Sequence, residues 1–199
     1  MTDEEDQKFG RVGLLGELEV ELQLVLQGWH PVRLDTAQMA SNADLLAVNR
    51  EKRVSIQVKT TDVRKQHSNS QWLGFGYATG YLRDKKTIFN SKKSPLVADV
   101  VIGVAYQSES TRFVVMPVAF AEKLCAMHSN YWYKVPTGKK TTKRSHSFPI
   151  YLSFTAERKP HKSHHDRVKR NVLAYENRWD ILSMPIGVLN DSKKWPLLP

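Results

Sequence analysis

The chain has 199 residues, 41% of them hydrophobic, which suits one domain with a real core and excludes wholesale disorder. Lys and Arg total 30 against 20 Asp and Glu, an imbalance that fits a nucleic-acid partner and fits equally a soluble protein that is merely basic. No apolar run reaches the roughly 18 residues of a membrane span, the opening MTDEEDQKFG is neither a secretory signal nor a transit peptide, and a lone Cys125 forms no intrachain disulfide, so a cytoplasmic protein is expected.

Residues 1–9 read as a flexible acidic tail and 10–199 as a single domain, with a core over about 10–120 and a basic extension over about 121–199. Residues 1–60 hold ten acids and seven bases, whereas 61–199 hold ten acids and 23 bases. That division suits a catalytic corner beside a polyanion-binding surface.

Residues 11–28 carry two patterns at once. Apolar and polar residues nearly alternate from Leu14 to Leu26, as in a strand, yet Leu15, Leu18, Leu22, Val25, Leu26 and Trp29 also fit helical spacing. The length and the wealth of Glu, Leu and Gln favour a helix, with Gly28 as its C-terminal stop. Strands are expected at His30–Thr36, Ala43–Val48 and Arg53–Thr61, the last two joined by a tight turn at Asn49–Lys52. Residues 62–71 fit either helix or loop. Ala98–Tyr106 and Thr111–Val118 read as strands, 119–130 as a helix, 134–147 as a basic loop and Phe148–Phe154 as a late strand. Residues 163–175 fit a basic helix, and an irregular tail runs from Pro185. The order predicts an α/β fold with a mixed sheet flanked by helices.

Side chains alternate along a strand, so Gln57 and Lys59 share a face, roughly 6–7 Å apart. A hairpin turning at Asn49–Lys52 sets Val48 opposite Arg53, Leu46 opposite Ser55 and Asp44 opposite Gln57, gathering a carboxylate, an amide and an ammonium on one face. Carboxylate and amide oxygens are hard ligands suited to Mg²⁺, for which Mn²⁺ can substitute. A second carboxylate is then expected, and Glu17 and Glu21 lie one turn apart on the first helix. Lys59 beside a metal would orient the attacking water. A strand with a solvated polar face would read the same way.

Four pieces in order carry a resemblance: Gly13-Leu14-Leu15-Gly16-Glu17, Gly28-Trp29, Asn42-Ala43-Asp44-Leu45-Leu46-Ala47 and Ile56-Gln57-Val58-Lys59-Thr60. Over roughly residues 10–62 the chain resembles the PD-(D/E)xK nuclease superfamily, in particular its Holliday-junction resolvase and group I intron homing endonuclease branches. The resemblance implies a restriction-endonuclease-like core, with Glu17, Asp44 and Gln57 at a Mg²⁺ and Lys59 assisting the water. It implies a metal-dependent endonuclease acting on DNA, in homing, restriction, phage defence or junction resolution. Gln57 stands where the family usually has Asp or Glu, which removes one negative charge. The alternative is a degenerate nucleic-acid-binding module of the same fold. Cutting both strands needs two sites, hence a homodimer or higher homo-oligomer is expected.

DNA contacts are expected from Lys139, Lys140, Lys143 and Arg144 in the basic loop, preceded by Tyr131, Trp132 and Tyr133, and from Arg167, Lys169 and Arg170. His161, His164, His165 and Asp166 read as a solvated basic segment rather than a metal site. Asp99 reads as a strand start and Cys125 as a core residue.

Overall fold

The computed structural model describes residues 3–34, 43–62, 72–75, 80–83, 86–89, 96, 98–106, 111–134, 150–153 and 162–199. Helix α1 (Asp3–Leu26) opens the chain. It reaches back into the stretch expected to be a tail. Its other end stops as the sequence predicts. Gly28 adopts φ +80, the Trp29 amide bonds the Leu24 carbonyl at 2.8 Å, and the Gly28 amide bonds Val25 at 3.0 Å. This pairing satisfies the last carbonyls and buries Trp29 with Leu24.

A five-stranded sheet follows, in the order β1 (His30–Arg33), β2 (Leu45–Val48), β3 (Arg53–Asp62), β7 (Val100–Tyr106), β8 (Arg112–Pro117). The first three strands and the last pair are antiparallel, and β3 runs parallel to β7. The sheet is therefore mixed, as expected. Pro31 lies in the edge strand β1, where its missing N–H discourages pairing with a further strand. Every residue from Val100 to Ala105 whose side chain bears on packing is buried, as are Phe113–Met116. Since successive side chains point to opposite faces, both faces of the sheet are covered there. Helix α1 lies against β3, and α2 (Val118–Lys134) against β7 and β8.

Three strands lie outside the elements predicted: β4 (Trp72–Phe75), β5 (Gly80–Arg83) and β6 (Lys86–Phe89). The predicted late strand is β9 (Ile150–Ser153), which pairs antiparallel with β4, while β5 and β6 form a separate ribbon.

The C-terminal quarter departs most from expectation. After helix α3 (Lys162–Leu173) the chain returns to β8: the Val115 amide bonds the Tyr175 carbonyl at 2.9 Å, and the Asn177 amide bonds Phe113 at 3.0 Å. The Arg112 guanidinium meets Glu176 with two bonds of 2.6 and 2.9 Å. Short helical turns at Trp179–Ser183, α4 (Ile186–Leu189) and Ser192–Lys194 follow. Trp179, Ile181 and Leu182 are buried, and the tail from Pro185, expected to be irregular, forms short helical turns and buries Leu189 and Trp195, so the end of the chain is a wall of the core. No helix among the described residues is long and apolar enough to cross a membrane.

Candidate active site

Glycine at position 16 sets how closely α1 approaches the sheet. A Cβ built there would stand 1.8 Å from Thr60 Oγ1 and 2.8 Å from Thr60 Cβ. Only a residue without a side chain fits against β3 at this point. The contact brings the next residue, Glu17, to the sheet. Arg33 on β1 then ties the helix down, with an ion pair to Glu21 and a longer one of 3.9 Å to Glu17. Arg33 escaped the sequence reading. The available signal was a lone cation on a strand next to a helix whose Glu17 and Glu21 share a face.

The β2–β3 hairpin has the predicted register: Val48 faces Arg53, Leu46 faces Ser55, and Leu45 faces Ile56. Asn49 builds the turn, its side-chain oxygen accepting from the amides of Glu51 and Lys52 at 3.0 and 2.8 Å. The ladder stops one step before Asp44. Its amide bonds the carbonyl of Ile56 at 2.8 Å, and its carboxylate accepts from the Val58 amide at 2.6 Å. Asp44 thus grips the peptide that joins Gln57 to Val58, leaving one carboxylate oxygen for another partner.

Gln57 is buried at 6% exposure, and its Oε1 has no hydrogen-bond partner. A buried acceptor left unmatched costs roughly 1–3 kcal/mol, so an atom in this state calls for a partner of positive character. Lys59 stands two residues along the same face of β3.

Charge unites these residues. Burial and then the nearby Asp44 push the Glu17 carboxyl above its ordinary range, while Arg33 and Lys59 pull it back. Burial raises Asp44 as well, against the Val58 hydrogen bond and Lys59. Two carboxylates that are each hard to ionise in the bare protein form a site short of positive charge. Glu17, Asp44 and Lys59 therefore share one electrostatic neighbourhood, and Asp44 joins it to the backbone beside Gln57.

The donor set fits a hard divalent cation. It offers two carboxylates and one orphaned amide oxygen, all oxygen ligands, with no thiol or imidazole. Among the described residues, no group of three or more His, Cys, Asp or Glu side chains could hold a metal. Any such site here must therefore take Gln57 as a ligand or rely on two acids.

The remaining candidates lie elsewhere. Lys139, Lys140, Lys143 and Arg144 fall outside the described residues. On α3, Arg167 donates to the main-chain oxygen of Leu198 at 3.1 Å and Arg170 to that of Pro199 at 2.7 Å, while Lys169 is half-buried. Those two guanidinium groups hold the chain's C-terminal segment against α3. His164 and His165 are buried rather than solvated, and His164 stacks on Tyr131 with ring centroids 3.6 Å apart. An aromatic neighbour and the packed side of α3 replace the solvent expected there. Asp99 stands immediately before β7 and accepts from the Ser55 amide and hydroxyl at 2.9 and 2.7 Å, locking β7 to β3. Cys125 is fully buried, and burial raises its thiol far above the ordinary range.

No protein-family model matches the chain, and no curated protein sequence matches it. Among solved structures, the bacterial homing endonuclease I-Ssp6803I is similar, with a TM-score of 0.42 and 15% sequence identity over 85% of this chain and 87% of that one.

Proposed function

We propose that this chain is a metal-dependent endonuclease that hydrolyses phosphodiester bonds in DNA, with Glu17, Asp44, Gln57 and Lys59 as its active site. The observation that carries the reading is Gln57 Oε1, a buried and unmatched acceptor on the strand that also bears Lys59, one residue before the Val58 amide that the Asp44 carboxylate accepts from. Glu17, Asp44 and Gln57 would hold the ion, Mg²⁺ or Mn²⁺. A divalent cation held there would supply positive charge to the reacting phosphate and would acidify a water.

The chain's own residues do the rest. Asp44 is fixed by the Val58 amide, so its free oxygen is aimed before any ligand arrives. Glu17 is placed by the Gly16–Thr60 approach and steadied by Arg33. Lys59 offers three donors and a charge, which orient a water toward phosphorus and stabilise the oxyanion. Gln57 contributes an oxygen without a charge, which makes Glu17 the second acid of the site. The surplus of bases after residue 60 grips the phosphate backbone.

The test is plasmid, junction and single-stranded DNA incubated with the protein in Mg²⁺, Mn²⁺ or EDTA. Metal-dependent cleavage lost in Asp44→Ala is expected. Binding without cleavage in every metal would instead favour the degenerate binding module, for which the amide at position 57 is the specific argument. A four-fold neutralisation of Lys139, Lys140, Lys143 and Arg144 tests the footprint. It should weaken DNA binding and flatten its salt dependence.

A further inference from the structure

Helix α1 is apolar on two sides. Gly16, Val20 and Leu24 face the sheet and are buried. Leu14, Leu15, Leu18, Leu22, Val25 and Leu26 are exposed, by 37 to 67%. At about 100° per residue these six occupy an arc of roughly 120° centred nearly opposite Val20 and Leu24. A monomeric protein seldom leaves so continuous a patch in water.

We propose that this stripe is a self-association surface, on which a second copy lays its own α1 antiparallel, about a two-fold axis at the level of Val20. The spacing of the stripe carries the choice of partner, because it reads the same from either end. In such a pair Leu14 meets Val25 of the second copy, Leu15 meets Leu26, and Leu18 meets Leu22, with no apolar side chain left over. A two-fold interface requires this self-complementarity, since the same patch must serve both copies. An unrelated partner does not.

Two further observations agree. Six side chains about half exposed leave on the order of 500–600 Å² per copy. A two-fold pair then buries on the order of 1,100 Å² from the helices alone, near the lower bound for a specific interface. The remainder has a place to come from. A groove of about 810 Å³ continues the stripe past Leu26, lined by Val25, Trp29, His30, Val48 and Arg50 among others. The antiparallel partner's α1 continues beyond its Leu14 back to Asp3, and so runs over that groove. Charge permits the approach as well. On one flank Glu21 is already paired with Arg33 in each copy. On the other flank Glu19 nears its symmetry mate, a repulsion that salt screens. Self-association therefore tightens with salt, the opposite of DNA binding, and it stands apart from the catalytic reading.

The test is sedimentation equilibrium of the full chain, alone and with Leu18→Glu or Leu22→Lys. Wild type should be dimeric at micromolar concentration, and each variant should dissociate at least about 100-fold more readily, because a charge would be buried against leucine. Mixing the two variants should restore a mixed dimer. The introduced glutamate then faces the introduced lysine, and the second contact remains leucine on leucine. That rescue requires both variants to be folded, and the exposed positions leave the core untouched. A monomeric wild type, a Leu18→Glu dimer as tight as wild type, or variants that fail to rescue one another overturns the proposal. So does a monomer that binds phosphatidylcholine–phosphatidylserine vesicles through Leu18, which would make the stripe a lipid-facing surface.

Discussion

Replacing Gly16 with alanine sets two effects against each other, and the structure decides the sign. Alanine in a helix interior is favoured over glycine by about 1 kcal/mol. Against that, the new Cβ would lie 1.8 Å from Thr60 Oγ1, 2.7 Å from Cγ2 and 2.8 Å from Cβ. Rotating the threonine relieves the first two contacts but not the third, because Cβ is fixed to the strand backbone. The helix must lift, and overpacking of this kind costs about 1–3 kcal/mol or more. Gly13, one turn earlier, supplies the control, since a Cβ there meets nothing within 4 Å. Gly13→Ala should raise the thermal midpoint by about 2–4 °C, taking about 1 kcal/mol at 2–4 °C per kcal/mol for a chain of this size. Gly16→Ala should fall below Gly13→Ala by about 2–12 °C, the same conversion applied to 1–3 kcal/mol. Adding Thr60→Ala removes two of the three close atoms and should recover part of the loss. Because the lifted helix carries Glu17 away from Asp44, Gly16→Ala should also need more Mg²⁺ for cleavage. The assay is circular dichroism melting beside cleavage titrated with metal. Equal midpoints for Gly13→Ala and Gly16→Ala would refute the close approach and its role in placing Glu17.

Three other outcomes are expected. In the cleavage assay, Asp44→Ala and Lys59→Ala should each abolish activity, whereas calorimetry should find Mg²⁺ binding lost only in the former; Gln57→Glu should tighten Mg²⁺ binding, and unchanged affinity would remove residue 57 from the ligand set. Both Glu17 and Asp44 titrate above the ordinary carboxyl range, so the folded protein holds protons that the unfolded chain has released, and in EDTA stability falls as pH rises through those raised values. Asp44→Asn, which keeps an acceptor for Val58, should therefore melt higher than wild type at neutral pH and equally below the ordinary carboxyl range; a lower midpoint at neutral pH contradicts the sign. Trp195 is buried with its indole N–H on the Val188 carbonyl at 2.8 Å, so Trp195→Ala should cost about 3–5 kcal/mol in urea unfolding, and a loss below 1 kcal/mol would mean that the C-terminal wall is not part of the cooperative fold.

The hairpin was legible because local chemistry fixes it. Asn49 closes the turn, and the turn dictates which residues of β2 and β3 oppose one another. Gly28 was legible for a similar reason, being the one residue suited to the left-handed turn after α1. The helix itself read ambiguously because its apolar residues point two ways, some to the sheet and some outward. A strand and a doubly apolar helix then look alike. Of the candidate site, Gln57 and Lys59 follow from the alternation of one strand, while Asp44 lies one step beyond the ladder of its neighbour. Arg33 did not, since its meeting with Glu17 depends on where a helix and an edge strand cross, which no periodicity encodes. The C-terminal wall was illegible for a different reason. Trp179, Ile181, Leu182, Leu189 and Trp195 enter the core from three separate short turns, so no window shows a period of 2 or 3.6. No local pattern marks His164 as buried, because its partner, Tyr131, comes from another helix.

That C-terminal wall bears on how the protein is made. Strands β3, β7 and β8 can pair once residue 117 has emerged from the ribosome, and domains tend to fold as they emerge. The surface beside β8, however, is closed by Tyr175, Trp179 and Trp195. At about 5–20 residues per second, synthesis reaches Trp195 several seconds later. Through that interval the sheet stands with an unpaired edge and an open apolar face. This is the state in which nascent chains are most prone to aggregate, and it is where a chaperone would have most to hold.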